Sequence, residues 1–243
     1  MLGKIAAALT FVGVASAGQV KDKVKKSVDT PYPYDYTTDA IVFSKEADGS
    51  IKSMDVRATQ IYSSKFNSMR SENYISFRGN LLHQQFYFDF ANNEGMKFDS
   101  LTNSCQSFPV DFGGMTAKEA IDTVVAKYTT AEGDATTPHI PGKEFEKFHI
   151  ELNKFMPMPA GSTAPDEHVY VSKDTKKVEY VEFTQTISGQ KEDLAIMMPA
   201  GLVPYVAKNA DEVKIQACLN ADVVRSEEVV KKDVSSLTKI LNL

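Results

Sequence analysis

Residues 81–90, LLHQQFYFDF, decide the class of fold. Side chains on an extended strand point alternately to its two faces, and this stretch alternates accordingly. The face with the large apolar side chains consists of Leu82, Phe86, Phe88 and Phe90. The opposite face consists of His83, Gln85, Tyr87 and Asp89. Residues 92–95, NNEG, have the composition of a turn and lead into a second short run, so the pattern predicts a β-hairpin.

The same period of two recurs on both sides of this stretch. Asp48 and Gly49 lie between two β-prone runs, and an Asp-Gly pair in that position predicts a tight hairpin turn. The other strands predicted from such runs are residues 41–44, 51–53, 56–63, 74–77, 148–153, 169–171, 178–187 and 194–198. Residues 129–142 and 155–166 have the composition of loops. Short strands separated by Gly, Asn and Asp turns are typical of an antiparallel sheet.

Two segments have the period of a helix instead. Thr116 and Glu119 fit a capping box, in which the two side chains satisfy free backbone amides at the start of a helix. The apolar stripe that follows comprises Ala117, Ala120, Ile121, Val124, Val125 and Tyr128. A second stripe lies in residues 222–243, for which we predict a C-terminal helix. This helix either packs on the body of the protein or binds a partner.

The N-terminus has the composition of an export signal. Residues 1–17, MLGKIAAALTFVGVASA, contain one early lysine, a short apolar run and a final Ala-Ser-Ala. This arrangement predicts a cleaved signal peptide and therefore a secreted, extracellular protein. The apolar run is shorter than the about 20 residues of a transmembrane helix, and we expect no transmembrane segment elsewhere. Residues 18–221 are then expected to form a single β-rich domain, followed by the C-terminal helix.

The composition argues against some partners. The 243 residues carry 27 basic and 32 acidic side chains, which gives a formal net charge of −5, and 42% of the residues are hydrophobic. This balance is ordinary for a globular protein. No long block of lysine and arginine is present, so nucleic acid is not expected as a partner.

Cys105 and Cys218 are the only two cysteines. In an exported chain a lone pair of cysteines most often forms a disulfide, and two thiols at distant positions make a poor zinc site. A catalytic cysteine is the alternative, but pairing leaves neither thiol free. We predict a bridge between them, which would stabilise the fold by about 4–5 kcal/mol through loop closure.

Residues 60–110 resemble the core of ependymin-related secreted proteins. The resemblance rests on an aromatic-rich strand, a Glu-Gly turn at residues 94–95, a short strand and then Cys105. The strands of residues 178–198, a proline-containing stretch and Cys218 are similar to the distal half of that family. The resemblance implies an α+β, mostly antiparallel fold like that of the LolA lipoprotein carriers, with a curved half-barrel sheet and packed helices. Such folds hold acyl chains or other apolar ligands.

Known catalytic motifs are missing from the sequence. The histidines show no metal-ligand spacing such as HExxH, and there is no Gly-x-Ser-x-Gly. We therefore predict a protein that is not an enzyme and has neither a metal site nor another cofactor. The groups whose convergence in a cleft would indicate an enzyme are His83, His149, Glu151 and His168. Calcium is the alternative cofactor, because one hairpin offers hard oxygen ligands. These ligands are Asp89, Asn92, Asn93, Glu94 and Asp99.

We expect a secreted, non-enzymatic protein that binds a lipid or another hydrophobic ligand in a concave pocket of the sheet. The residues predicted to line this apolar pocket are Leu82, Phe86, Phe88, Phe90, Met156, Met158, Ile196 and Met198. Flexible methionines suit an adaptable apolar lining, although the core of any sheet needs the same stripe. The alternative function is adhesion or another extracellular interaction, with or without calcium. It would use the surface or a protein partner of residues 222–243.

Overall fold

The computed structural model describes residues 35–77, 80–109, 114, 116, 118–119, 129–151, 163–187, 190–219 and 223–225. Thirteen strands lie in this part of the chain and belong to one sheet. The strands of the first wing are β1 (Tyr36–Lys45), β2 (Ile51–Ser63), β3 (Ser68–Phe77), β4 (Asn80–Asp89), β5 (Glu94–Asp99) and β6 (Ser104–Pro109). The strands of the second wing are β7 (Thr129–Ala135), β8 (Phe145–Glu151), β9 (Thr163–Ser172), β10 (Val178–Ile187) and β11 (Gln190–Met197). Two short strands, β12 (Val203–Pro204) and β13 (Val223–Arg225), complete the sheet.

Each wing is an antiparallel meander, and the two wings meet where β1 pairs with β11. The order across the sheet is β13-β6-β5-β4-β3-β2-β1-β11-β10-β9-β8-β7. At the junction of the wings, Ile41 pairs with Met197. Among the described strands only β13 runs parallel to its neighbour, which is β6, and β12 pairs with the start of β1. Strands that follow one another in sequence usually pair, and both wings obey this rule.

The hairpins predicted around Asp48 and around residues 92–95 are confirmed. Gly49 has a φ of +83° and donates its backbone N–H to the carbonyl oxygen of Glu46 at 2.9 Å. Asn93 has a φ of +51° in the turn between β4 and β5. Glycine and asparagine adopt this left-handed conformation at lower cost than other residues. These two residue types therefore allow the tight turns that pair β1 with β2 and β4 with β5.

The sheet has two faces, the Val42 face and the Phe43 face, which are defined by these adjacent residues of β1. The row of paired apolar residues that crosses the Val42 face of the first wing is Val42, Val56, Ile75 and Leu82. The row continues into the second wing as Ile196, Val181, Val169 and Phe148. All of these residues are buried. Because directly paired residues share a face, the Val42 face carries a continuous apolar layer.

In the first wing the Phe43 face is covered by residues 205–219. The buried side chains of this cluster are Tyr87, Phe98, Cys105, Ala207, Val213, Ile215 and Cys218. The predicted disulfide is confirmed, since Cys105 of β6 is bonded to Cys218 with their Cα atoms 5.8 Å apart. Arg70 of β3 donates a hydrogen bond to the carbonyl oxygen of Lys214 at 2.6 Å. The bridge and this hydrogen bond hold residues 205–219 against the sheet.

In the second wing the Phe43 face packs against the loop of residues 136–144. The side chains of this cluster are Phe43, Ile140, Phe145, Tyr170, Tyr180 and Ala195. Lys143 of the loop forms an ion pair with Glu179 of β10, with 2.6 Å between Nζ and Oε2. The sheet therefore buries residues on both faces, which explains why its strands carry apolar side chains in both directions.

The predicted α+β fold, a curved half-barrel sheet with packed helices, is wrong. The described residues are nearly all antiparallel strand in an open sheet, and they contain no helix of seven or more residues. Residues 129–142 and 155–166, predicted as loops, contribute β7 and the start of β9. Hydrogen bonds to neighbouring strands satisfy the backbone of these polar stretches. Strand formation there depends on pairing and not on an apolar alternation.

The two predicted helices fall largely outside the described residues, as do residues 1–17. The capping box itself is confirmed. The backbone N–H of Glu119 donates to the hydroxyl of Thr116 at 3.1 Å, and the N–H of Thr116 donates to the Glu119 carboxylate at 2.8 Å. At the C-terminus, Val223–Arg225 form β13 and not the beginning of a helix. Within the described part of the chain, no helix has the length and apolar character needed to cross a membrane.

Candidate functional site

Most of the predicted pocket residues lie on the Val42 face of β4. Leu82, Phe86 and Phe88 point to this face and are at most 4% exposed. Phe90 follows the strand and is also buried, and its backbone N–H donates to the carbonyl oxygen of Asn67 at 3.0 Å. The strand therefore forms the apolar face that its alternating sequence predicts. We refer to Phe86, Phe88 and Phe90 as the aromatic wall.

Ile196 and Met198 are buried but belong to another part of the sheet. Ile196 pairs with Val42 and so lies on the Val42 face. Strands β1, β2 and β3 lie between β11 and β4, and four strand spacings amount to about 19 Å. Met156 and Met158 lie outside the described residues. The structure thus divides the predicted lining between the two wings.

A group of buried polar side chains lies beside the aromatic wall on the Val42 face. We define this group as the polar floor, which consists of Gln60, Ser71, Asn73, Gln84 and Lys97. Strand pairing brings them together, because Ser71 pairs with Gln60 and Asn73 pairs with Gln84. Lys97 of β5 pairs with Phe86, which also pairs with Ser71. All members of the floor are at most 8% exposed.

Several polar atoms of the floor have no hydrogen-bond partner among the described residues. These atoms are the hydroxyl of Ser71, both amide atoms of Asn73 and the amide oxygen of Gln84. The amide nitrogen of Gln84, in contrast, donates to the carboxylate of Asp99 at 3.0 Å. Folded proteins satisfy nearly all buried polar groups, and each exception costs about 1–3 kcal/mol. The polar floor is therefore a place where a bound molecule would supply missing partners.

Lys97 adds a positive charge to the polar floor. Its side chain is buried and forms no ion pair with any other described residue. Burial removes much of the water that would otherwise solvate an ammonium group, so an unpaired one favours an anionic partner. The floor consequently combines amide and hydroxyl groups with one cation.

The second wing carries its own unpartnered polar group on the Val42 face. Glu167 of β9 is fully buried and pairs with Phe183 on one side and Ile150 on the other. Within the described part of the chain, neither of its carboxyl oxygens has a hydrogen-bond partner. Burial raises the pKa of Glu167 to about 8, with a smaller contribution from the charge of Asp166. Near neutral pH the carboxyl group is therefore mainly protonated, and a protonated carboxyl both donates and accepts hydrogen bonds.

On the Phe43 face of the first wing, the polar side chains form a connected network. Arg70 pairs with Glu72 at 2.9 Å, the hydroxyl of Tyr74 donates to Glu72 at 3.0 Å, and His83 lies 3.3 Å from the same carboxylate. The rings of Tyr74 and His83 stack with their centroids 4.4 Å apart. Burial raises the pKa of Tyr74, and the hydrogen bond to Glu72 adds to this shift. Arg70 also donates a hydrogen bond to the carbonyl oxygen of Lys214. We therefore infer that this network stabilises the fold.

The second wing brings two histidines together on the Phe43 face. His149 of β8 pairs with His168 of β9, and the two rings stack 4.9 Å apart. The carboxylate of Asp166 lies 2.5 Å from Nε2 of His149, and that of Glu132 lies 3.2 Å from Nδ1 of His168. Burial lowers the pKa of His168. His149 and His168, two of the four groups whose convergence would indicate an enzyme, therefore meet. His83 lies in the first wing.

The hairpin oxygens considered for calcium take part in turns. Asp89 accepts hydrogen bonds from the backbone N–H groups of Ala91 and Asn92, both at 3.0 Å. Asp99 accepts one from the backbone of Leu101 at 2.9 Å. These bonds are typical of aspartate, which stabilises turns by accepting from the backbone shortly after it.

The polar floor is the feature that the sequence patterns missed. Residues 68–73, SMRSEN, contain a single apolar side chain, so the pattern predicts a strand only from residue 74 onward. One signal was available, since Gln84 interrupts the apolar face formed by Leu82 and Phe86. A polar residue at the centre of such a face indicates that its neighbours across the sheet are also unusual.

A scan against models of protein families matches none, and a search of curated proteins finds no match either. The chain is therefore characterised by its own structure. It is an antiparallel β-sheet protein with an open sheet, a buried polar floor on one face and a histidine–carboxylate cluster on the other.

Proposed function

We propose that this is a secreted, non-enzymatic protein that binds an amphipathic hydrophobic molecule, such as a lipid, on the Val42 face of the first wing. One observation carries the proposal. Ser71 and Asn73 are fully buried on this face, yet none of the described residues forms a hydrogen bond with their side-chain polar atoms. A ligand with a polar group would satisfy these atoms while its apolar part contacts the surrounding side chains.

The aromatic wall supplies the apolar contacts for such a ligand. Phe86 pairs with Ser71, and Phe88 pairs with Met69 on the same face. The pairs Ile75–Leu82 and Val56–Ile75 extend the apolar surface on the other side of the floor. Burying a ligand methylene group against such surfaces contributes about 0.8 kcal/mol. An acyl chain would therefore provide most of the affinity.

The polar floor supplies contacts for the head of the ligand. The amides of Asn73 and Gln84 offer both donors and acceptors, and the hydroxyl of Ser71 does the same. Lys97 favours a negatively charged group, and hydrogen bonds to charged groups are stronger than those between neutral groups. A carboxylate or a phosphate attached to an acyl chain fits this combination of side chains best.

The predicted location of the protein is compatible with this function. The disulfide between Cys105 and Cys218 supports an oxidising compartment, since disulfides persist there and are rare in the cytosol. The predicted signal peptide of residues 1–17 leads to the same compartment. The resemblance to ependymin-related secreted proteins stays a prediction, and carriage of an apolar ligand agrees with it.

Organic extraction of the purified full chain, followed by mass spectrometry, tests the proposal. We expect an acyl species in a nearly stoichiometric amount, and native mass spectrometry should show the protein with this species bound. After extraction the protein should take up a fluorescent fatty-acid analogue in a saturable manner. An empty extract combined with no saturable uptake would contradict the proposal.

Asn73→Leu tests whether the ligand uses the polar floor. The substitution replaces the unpartnered amide by an apolar side chain of similar size, so the fold should be retained. We expect the affinity for the fluorescent fatty-acid analogue to fall about tenfold, which corresponds to about 1.4 kcal/mol. Asn92→Leu is the matched control, since Asn92 is exposed in the turn after β4, and it should bind normally. Equal affinities of the two variants would contradict binding at the floor.

A further inference from the structure

The histidine–carboxylate cluster of the second wing is independent of the Val42 face. It consists of His149, Asp166, His168 and Glu132. The ligand atoms of the first three residues lie within 4.8 Å of one another. Two imidazoles and the Asp166 carboxylate therefore form a compact set on the Phe43 face, and Glu132 of the neighbouring strand joins it through its 3.2 Å contact with Nδ1 of His168.

The register of the sheet holds the two histidines in place. The pairs that flank the His149–His168 pair are Phe148–Val169 and Ile150–Glu167, and all four of these side chains are buried. Because side chains alternate between the faces of a sheet, burial of these neighbours directs both histidines to the Phe43 face. A shift of register would expose the core, so the ladder positions both imidazoles before any ligand is bound.

One polar atom in the cluster lacks a suitable partner. Nδ1 of His168 is buried and makes no hydrogen bond to a described residue, although the Glu132 carboxylate lies 3.2 Å away. The two stacked imidazoles face each other at 4.9 Å. Stacking of two histidines between carboxylates is an arrangement that a shared cation would stabilise, because the cation binds both the ring nitrogens and the carboxylate oxygens.

We propose that this cluster binds a divalent transition metal ion, and that zinc is the ion its donor set fits best. Zinc prefers four ligands in a tetrahedron, with imidazole nitrogens and carboxylate oxygens at about 2.0–2.2 Å. Imidazole ligands argue against calcium and magnesium, which prefer oxygen ligands alone. In a tetrahedral zinc site the ligand atoms are about 3.4 Å apart. The ligand atoms of His149, Asp166 and His168 lie within 4.8 Å of one another, so we expect the partly exposed His149 and Asp166 side chains to rotate when the ion binds.

Lys147 sets the affinity of this site. Its Nζ lies 2.7 Å from Oε2 of Glu132, so the ammonium group and a metal ion compete for the same carboxylate. The ammonium charge also repels a divalent cation nearby. Removing this charge should therefore strengthen metal binding, whereas removing either histidine should weaken it. This opposite pair of effects is specific to a metal site.

The experiment uses the untagged full chain, treated with a chelator and dialysed. Zn²⁺ is added alone in a calorimetric titration, and Co²⁺ serves as a spectroscopic probe of tetrahedral coordination. We expect one ion per chain, an affinity lowered at least tenfold by His149→Ala or by His168→Ala, and an affinity raised about threefold by Lys147→Gln. Asp166→Asn is a second variant that changes a ligand with little change of shape. It should also weaken binding.

His83→Ala is the matched control for the two histidine variants. His83 is also on the Phe43 face and lies 3.3 Å from a carboxylate, but no second histidine pairs with it across the strands. Its removal should leave Zn²⁺ binding unchanged. Circular dichroism in chelator verifies that each variant is folded. The proposal is overturned by the absence of saturable binding, or by equal effects of His83→Ala and the cluster variants. Uptake of the fluorescent fatty-acid analogue should not depend on the metal, so this test is separate from that of the Val42 face.

Discussion

Carboxyl groups that are partly or fully buried have different surroundings on the two faces of the sheet. On the Phe43 face, Glu72 pairs with Arg70 at 2.9 Å and Glu182 pairs with Lys45 at 2.7 Å. On the Val42 face, Glu167 is more deeply buried than either of them and has no partner among the residues that the structure describes. The same type of side chain is thus stabilised by the protein on one face and left without a partner on the other.

This difference separates side chains that serve folding from side chains that are available to a ligand. The paired groups of the Phe43 face connect the sheet to residues 205–219 and 136–144, which cover it. The unpartnered groups of the Val42 face, Ser71, Asn73 and Glu167, lower the stability of the protein. Departures from good local packing are expected where function requires them. This contrast supports the proposal that the amphipathic ligand binds on the Val42 face of the first wing.

The largest effect should come from the disulfide that fastens the cover of the Phe43 face. Replacing Cys105 and Cys218 together by serine removes the cross-link, and we expect the free energy of unfolding to fall by about 4 kcal/mol. Urea unfolding followed by circular dichroism measures this change. Reduction of the unmodified protein should have the same effect. A loss below about 1 kcal/mol would show that residues 205–219 are held mainly by packing.

The second prediction concerns the pH dependence caused by Glu167. Its pKa is raised in the folded protein to about 8 from an ordinary value near 4.5. Between these values the unfolded chain loses the proton while the folded chain keeps it. The free energy of unfolding should therefore fall as the pH rises from about 5 to 8, by up to about 1.4 kcal/mol per pH unit. Above pH 8 both states are ionised, and this decrease should end.

Glu167→Gln removes the titrating group and should flatten the pH dependence between pH 5 and 8. Glu182→Gln is the matched control on the Phe43 face. Burial acts to raise the pKa of Glu182, but hydrogen bonds from Lys45 and Tyr180 outweigh it, and the net shift is downward. Its contribution to stability is present above its ordinary pKa and is lost as the pH falls through the lowered value. An unchanged slope in Glu167→Gln would contradict the prediction.

The third prediction tests the paired network of the Phe43 face. Glu72→Gln keeps the shape of the side chain but removes the charge that compensates Arg70, whose side chain is 11% exposed. We expect a loss of about 2 kcal/mol in the free energy of unfolding, since a buried charge is left without its partner. Glu46→Gln alters an exposed glutamate and should change stability by less than about 0.5 kcal/mol. Similar losses in the free energy of unfolding for both variants would contradict the inference that this network stabilises the fold.

The smallest effect, and the sharpest contrast, concerns two polar residues of the Val42 face. The hydroxyl of Thr38 donates to the carbonyl oxygen of Gly201 at 3.1 Å, so Thr38→Val should cost about 1 kcal/mol. Asn73 has no such partner, and Asn73→Leu should leave the ligand-free protein unchanged or stabilise it by up to about 1 kcal/mol. Thermal unfolding of the ligand-free variants measures both changes. A clear destabilisation by Asn73→Leu would mean that Asn73 supports the fold.

Part of the structure could be predicted from local patterns. The alternation of residues 81–90 predicted β4 and its aromatic face, and the Asp-Gly pair at residues 48–49 predicted the first hairpin. The capping box of Thr116 and Glu119 was also predicted and is confirmed. Such features depend on the backbone preferences of a few adjacent residues, so they are visible without knowledge of the rest of the chain.

The rest could not be predicted because it depends on pairing between distant residues. β3 begins with polar residues and forms a strand because β2 and β4 pair with it on both sides. The sequence predicts no site at Glu167, which directly follows a stretch with the composition of a loop. The predicted helical packing was wrong for a related reason. An apolar strand face does not reveal whether a helix, a loop or a ligand covers it.

The sequence by itself determined several antiparallel strands, among them β4, the turns at residues 48–49 and 92–95, and the pairing of the two cysteines. These features follow from the two-residue period of strands, the conformational freedom of glycine and asparagine, and the presence of a single possible disulfide. Only the tertiary structure decided that Ser71, Asn73 and Gln84 share one buried surface and that His149 meets His168. The physical reason is that the register between strands depends on the packing of the whole sheet, which no single segment contains.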